Sequence, residues 1–98
     1  MDVGDEIIHQ PVRLRIMAAL TALSLDDEGL DFVRLKSLTG ATDGNLGAHI
    51  DQLSRAGYVE VSKAFVARRP RTTVKVSGEG RAAFQRHVAF LKSIIAAG

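Results

Sequence analysis

Cysteine is absent from the 98 residues, which excludes a disulfide framework, a thiolate nucleophile and any cysteine-based zinc site, and suits a reducing compartment. Proline occurs only twice, and no Pro/Ser-rich or low-complexity run divides the chain; no internal repeat is visible. No apolar stretch approaches the roughly 18 residues that crossing a bilayer requires. The opening MDVGDEIIHQ is acidic and lacks the basic-then-apolar order of a secretory signal. A cytoplasmic protein with no membrane partner is therefore expected. Catalytic patterns are missing as well: there is no nucleophile beside a base, no phosphate-cradling glycine loop and no recognisable carboxylate pair. Gly78 and Gly80 match only a fragment of such a loop and read more simply as a helix start. None of His9, His49 and His87 is followed at i+3 or i+4 by an acid or another histidine, the spacing a helical metal site would use. No enzyme activity, cofactor or metal is expected.

What is present is a 46% apolar composition over a length that supports one modest core, so residues 1–98 are expected to form a single domain. Net charge is only +2 but unevenly placed. Residues 1–31 carry seven acids against Arg13 and Arg15, whereas residues 32–98 carry eleven bases against four acids. Such asymmetry is the footprint of a polyanionic partner when the cations gather on one structural unit.

The hydrophobic spacing gives the elements. HQPVRLRIMAALTALS, from His9 to Ser24, predicts a helix with Pro11 in its first turn and an apolar stripe of Ile16, Leu20 and Leu23, widened by Val12 and Met17. The acidic LDDEG that follows breaks it, and Leu30-Asp31-Phe32 alternates as a short strand would. Phe32, Leu35 and Leu38 then mark a short helix ended by Gly40. Thr42 or Asp43 caps the next helix, whose buried face is Leu46, Ile50 and Leu53; the opposite face carries Gly44, Asn45, Ala48, His49, Gln52 and Arg55. Gly57 supplies a left-handed exit into the strand Tyr58-Val59-Glu60-Val61, and Thr72 to Val76 returns as a second strand. Val66 to Arg71 form the hairpin tip, with three arginines in four residues. Ser77 caps a final helix from Gly78 to Ala97. That helix has two apolar seams, one of Phe84, Val88, Leu91 and Ile95, the other of Ala83, His87, Phe90 and Ile94. A monomer needs one seam. The second is expected to face another subunit, giving a dimer interface of Phe84, His87, Val88, Phe90, Leu91, Ile94 and Ile95, unless both seams pack on the first helix of the same chain.

The stretch TDGNLGAHIDQLSRAGYVEVSKAFVARRPRTTVKVSGEGRAAF resembles the winged-helix regulators of the MarR and ArsR groups, in particular a compact subgroup with the pattern TDGNLSxHLxxLExxGYVxVxKxFxxRxPxTxxxLTxxGRxAF. The match is close from Leu30 to Phe84. Gly47 departs from it, standing where the pattern has serine, and Leu53-Ser54 replaces a leucine–acid pair. The resemblance implies a helix–helix–strand–helix–helix–hairpin–helix order, a dimer, and operator binding that represses. The expected fold is α+β, mainly α: a winged helix-turn-helix with a three-helix core, a β-hairpin wing and a terminal dimerisation helix over residues 78–97.

An amphipathic helix followed by a basic hairpin is what such a domain offers double-stranded DNA. Thr42, Asp43, Gly44 and Asn45 stand at the start of the reading helix, where free N–H groups and the Thr42 hydroxyl can hold a phosphate. Asn45 and Gln52 offer paired donor and acceptor groups to adenine, while Gly44 and Ala48 permit close approach. Asp43 reads as a capping residue, since a carboxylate facing phosphate is repelled. His49 is open between DNA contact and half-buried packing. In the wing, Arg68 and Arg69 are placed for phosphate or the minor groove, with Lys63 and Arg71 along the flank. The function expected is a sequence-specific transcription regulator, a dimeric repressor of a pseudo-palindromic operator; the alternative is a winged helix serving as a protein-interaction or scaffold module. A small-molecule effector could lodge between the terminal and first helices, although no polar cluster points there, and would have to act at the dimer interface or by altering half-site spacing.

Overall fold

The computed structural model describes residues 4–23 and 27–97. In chain order the elements are α1 (Glu6–His9), α2 (Pro11–Thr21), β1 (Leu30–Asp31), α3 (Phe32–Thr39), α4 (Asp43–Arg55), β2 (Val59–Val66), β3 (Arg69–Val76) and α5 (Gly78–Ala97). The three strands form one antiparallel sheet in the order β1-β3-β2, with β3 in the centre. This is the element order that the resemblance implies. The core lies where α2, α3 and α4 meet the sheet and the first turns of α5. It contains Ile16, Met17 and Leu20 of α2, Leu35 of α3, Leu46, Ile50 and Leu53 of α4, Val59, Val74 and Val76 of the sheet, and Ala83 of α5, all buried. Each fully buried leucine or isoleucine contributes about 1.5–3 kcal/mol relative to exposure, so α4 is held chiefly by three side chains.

Local chemistry fixes the boundaries, and in places moves them from where periodicity put them. The helix expected from His9 is found as α2, starting at Pro11, and the unexpected short α1 precedes it. Asp5 caps α1 by accepting from the Ile7 and Ile8 amides at 2.8 and 3.1 Å. The chain then leaves the helix at Gln10, whose ψ of 132° is the extended conformation that a following proline imposes. Gln10 restarts it as the cap of α2, its side chain accepting from the Arg13 amide at 3.0 Å. The helix ends at Thr21, before Ala22; Ser24 and the loop residues Leu25 and Asp26 lie outside the described residues. Arg81 of α5 covers the α2 terminus by donating to the Thr21 and Leu23 carbonyls at 3.2 and 3.0 Å.

In α3, Leu38 is 47% exposed and Thr39 is buried in its place. A run of three-residue steps slips about 60° per step around a helix, so Phe32, Leu35 and Leu38 cannot all share one face. Thr39, four residues after Leu35, does share it, and its hydroxyl is satisfied by the Leu35 carbonyl at 2.8 Å. Gly40 ends the helix at φ 70°, the left-handed region. The hairpin is longer than periodicity indicates. β2 and β3 pair from Val59↔Val76 to Val66↔Arg69, leaving a two-residue tip of Ala67 and Arg68. Arg69, Pro70 and Arg71 therefore belong to β3. Both tip residues have positive φ, 51° and 67°, as a tight hairpin loop with the right twist requires.

α5 begins at a polar knot. Ser77 Oγ accepts from the Gly80 amide at 2.9 Å and donates to the Gly57 carbonyl at 2.6 Å, while the Ser77 amide donates to the Tyr58 carbonyl at 3.0 Å. Gly80 packs directly on Tyr58, where a Cβ would overlap the Tyr58 carbonyl.

Candidate nucleic-acid interface

α4 leaves the body with its polar face uncovered. Thr42, not Asp43, is the cap: its hydroxyl accepts from the Asn45 amide at 3.2 Å. The Thr42 hydroxyl hydrogen remains available to an external acceptor. Asp43 occupies the first helical turn and pairs with Lys36 of α3 at 2.7 Å. That pair holds the end of α3 beside the start of α4 and screens the one carboxylate at this helix N-terminus. Lys36 thus joins the surface, a contribution invisible in sequence because it depends on the α3–α4 turn. Gly44, Asn45, Ala48 and Gln52 are exposed. A Cβ added at Gly44 or Gly47 would meet nothing within 4 Å, so this face is open and shallow. Arg55 is tied to Asp51 at 3.0 Å across one turn.

His49 is half-buried at the flank of α4 and meets Arg13 of α2, with Nη1 3.0 Å from its Nδ1. Arginine has only donors, so the ring accepts through Nδ1 and carries its proton on Nε2. Partial burial, followed by the Arg13 charge, lowers the His49 pKa from its usual 6.5, so the ring is neutral at neutral pH. Arg13 also donates from Nε to the Ile7 carbonyl, joining α1, α2 and α4. His49 is first a packing residue, and Arg13 is the partner that sequence reasoning missed.

Beyond Glu60, which stands opposite Lys75 across the hairpin, the wing departs from the body as an acid-free strip. From Val61 to Val76 it holds Lys63, Arg68, Arg69, Arg71 and Lys75 and no carboxylate. Lys63, Arg68 and Arg69 are exposed. Arg71, expected along the flank, lies on the central strand opposite Ala64, and its Nη2 donates to Asp31 Oδ2 at 3.3 Å, so part of its charge is spent within the fold. Between the wing and α4 runs an open groove of about 610 Å³ lined by Phe32, Gly47, Ile50, Asp51, Ser54, Val61, Lys63 and Thr72. Helix and wing are thus the two walls of one surface.

The terminal helix divides its two seams unequally. His87 is corrected: it is 1% exposed and belongs to the chain's own interior. Its Nδ1 accepts from the Asp5 amide at 3.0 Å, and its ring lies 6.5 Å from that of His9 and 6.0 Å from that of Phe90. Burial, then the neighbouring His9, lowers its pKa below 6.5 despite the opposing pull of Asp5. Phe90 is half-buried, with Gly4 close against its ring. The short α1, absent from the periodicity, is what covers this seam. Phe84, Val88 and Leu91 are half-exposed, and Ile94 and Ile95 are 53% and 77% exposed.

A family described as a winged helix DNA-binding domain matches residues 12–95, which contain α4, the wing and almost all of α5. The chain belongs to that winged helix family. It is a family of DNA-binding domains, not of enzymes. An uncharacterized protein of Methanocaldococcus jannaschii is 35% identical to this winged helix protein over 83 residues, covering 85% of this chain and 86% of its own. Among solved structures, a transcriptional regulator homologue from Pyrococcus horikoshii OT3 superposes with a TM-score of 0.82 at 33% identity, over 95% of this chain and 88% of that one. A MarR family transcriptional regulator from Silicibacter pomeroyi shares the fold, with a TM-score of 0.70 at 22% identity over 94% of this chain and 58% of that one. Among the described residues, no group of three His, Cys, Asp or Glu side chains is placed to hold a metal ion, and no helix is long and apolar enough to cross a membrane.

Proposed function

We propose that this winged helix is a sequence-specific regulator of transcription that acts as a homodimer and represses by occupying a pseudo-palindromic operator. One observation carries the reading: α4 leaves Asn45, Ala48 and Gln52 exposed, and the cationic wing stands beside the same helix across a groove whose α4 wall is Gly47, Ile50, Asp51 and Ser54, so a duplex laid against the helix meets the wing cations. Asn45 and Gln52 read base edges from α4, where Gly44 and Ala48 let the helix axis come close. Thr42 and the free amides of the α4 N-terminus hold a phosphate, with Lys36 neutralising Asp43 beside them, and Arg68, Arg69 and Lys63 hold the backbone or minor groove beyond. The seam of Phe84, Val88, Leu91 and Ile95, together with Ile94, supplies the contact with a second copy. Two half-sites about one helical turn apart would then match the two reading helices.

The test is a fluorescence-anisotropy titration with the promoter duplex of the protein's own gene and a random duplex, each at two salt concentrations. Preferential, salt-sensitive binding to the promoter is expected. Arg68→Ala with Arg69→Ala should weaken both duplexes and reduce the slope of log affinity on log salt by about 4, one phosphate contact for each of the four arginines that the two wings of a dimer lose. Unchanged affinity in that double variant removes the wing as a contact. Failure of the unaltered protein to bind either duplex at low salt favours the protein-interaction role.

A further inference from the structure

The wing carries an apolar end that its charges do not explain. Phe65 is 78% exposed and Val66 50% exposed, although both lie in a strand and precede a two-residue tip. Phe65 pairs across the hairpin with Pro70, also exposed. Side chains alternate along a strand, so Phe65 shares its face with Val61 and Lys63, the residues that line the groove against α4. Within the fold that face runs out of partners: Val59 and Val74 are buried, Val61 is 37% exposed, and Phe65 stands free. The hairpin is prolonged past the core by one aromatic–proline rung.

Charge identifies the occupant. The rung is framed by Lys63 on its own face and Arg68 at the tip, with Arg69 on the opposite face, and there is no carboxylate anywhere between Val61 and Val76. An apolar protein partner would find an unneutralised cationic frame, whereas a duplex offers phosphates to the frame and base faces to the ring. We propose that Phe65, backed by Pro70, is an apolar wedge that enters the minor groove and partly unstacks one base step while Lys63 and Arg68 hold the flanking phosphates. Insertion of this kind kinks a duplex toward its major groove, the side on which α4 reads. The wing then supplies shape-dependent specificity, favouring operators with an easily unstacked pyrimidine–purine step at the wing position. The wedge rests on the DNA-binding reading above and gives its wing a second task.

The experiment compares the unaltered full-length protein with Phe65→Ala and Phe65→Leu on the promoter duplex, labelled at its ends for energy transfer and carrying 2-aminopurine at successive positions of the wing-facing step. The unaltered protein should shorten the end-to-end distance and brighten 2-aminopurine at one step in each half-site. Phe65→Ala should lose both signals and about ten-fold in affinity, with the salt slope unchanged because no charge is removed. Phe65→Leu, which keeps an apolar wedge, should retain most of the bend. A bend and affinity that survive Phe65→Ala, or a straight duplex with the unaltered protein bound, would overturn the wedge while leaving DNA binding intact. Loss of self-association in Phe65→Ala with DNA bending preserved would reassign the ring to a contact between copies. Absence of binding to any duplex by the unaltered protein would overturn the DNA reading itself, and the wedge with it.

Discussion

Asp5 does three jobs with one carboxylate and one amide. Its Oδ1 caps α1, its Oδ2 accepts from the Tyr58 hydroxyl at 2.6 Å, and its N–H is held by His87. Partial burial pushes the carboxyl up, but the Tyr58 hydroxyl, the Ile8 and Ile7 amides and His87 together bring its pKa below the ordinary 3.8. The same bond, with burial and the Asp5 charge, raises Tyr58 to about 12 from 10.0. The folded protein therefore keeps the Tyr58 proton longer than the unfolded chain does. The stability this bond gives is fully present below pH 10 and fades as pH rises through about 12. Tyr58→Phe should cost about 1 kcal/mol at pH 7, discounted for partial exposure, and should flatten the alkaline limb of a plot of melting temperature against pH. At the acid end the sign reverses. His87 and His49 have lowered values, so the unfolded chain binds protons first; stability declines as pH falls below 6.5 toward those values. A protonated His87 also has no lone pair for the Asp5 amide. His87→Ala should destabilise by about 2–4 kcal/mol, through the cavity and the orphaned amide. It should remove part of the decline below pH 6.5, the His49 share remaining. Denaturant melts at pH 5, 6 and 8 measure it; an undiminished decline would show that His87 is not its source.

Among the elements, α4 and the wing were the most legible in sequence, because their signals are local. Leu46, Ile50 and Leu53 lie on the buried face that their spacing predicts, and Gly57 turns the chain at φ 80°. What stayed hidden depends on partners far along the chain. Asp5 and His87 are 82 residues apart, and no periodicity connects a four-residue helix to the seam it covers. The Arg71–Asp31 and Arg13–His49 contacts are equally non-local, so Arg71 looked free and His49 undecided. Leu38 misled because apolar character outweighed the angular drift of three-residue steps, while Thr39 hid its buried role behind a polar name. The glycines separate in the same way. Gly44 and Gly47 have open space around them inside a helix, so Gly44→Ala and Gly47→Ala should each raise stability by up to about 1 kcal/mol, seen as a higher denaturation midpoint. Gly29 sits at φ 103° with the Val74 carbonyl where a Cβ would go. Gly29→Ala should therefore lower the midpoint and loosen β1 from β3, since both the backbone conformation and the strand contact oppose it.

The whole molecule measures 52 × 28 × 21 Å, elongated well beyond what a core of this size requires. Within its acidic first third, Asp5 and Asp31 serve as helix caps, whereas Lys63, Arg68, Arg69, Arg71 and Lys75 of the cationic remainder gather in the wing. A net charge of +2 conceals that division. For the proposed homodimer, Ile94→Glu with Ile95→Glu changes only exposed side chains, so helical circular dichroism should persist while sedimentation shifts from two subunits to one; an unchanged mass would place the interface elsewhere. The polar knot at Ser77 has a mechanical meaning. Tyr58 is bonded to the end of α4 through the Leu53 carbonyl at 3.0 Å and to the start of α5 through the Ser77 amide at 3.0 Å. Gly57 is held by the Ser77 hydroxyl, and Gly80 leaves no gap against Tyr58. Two helices fastened at such a joint cannot pivot independently. α5, about 30 Å long, is the long arm of a lever whose short arm is α4. Displacing the free end of that arm by about 5 Å tilts it by roughly 10° and loads the Tyr58–Ser77 joint through which it is tied to α4.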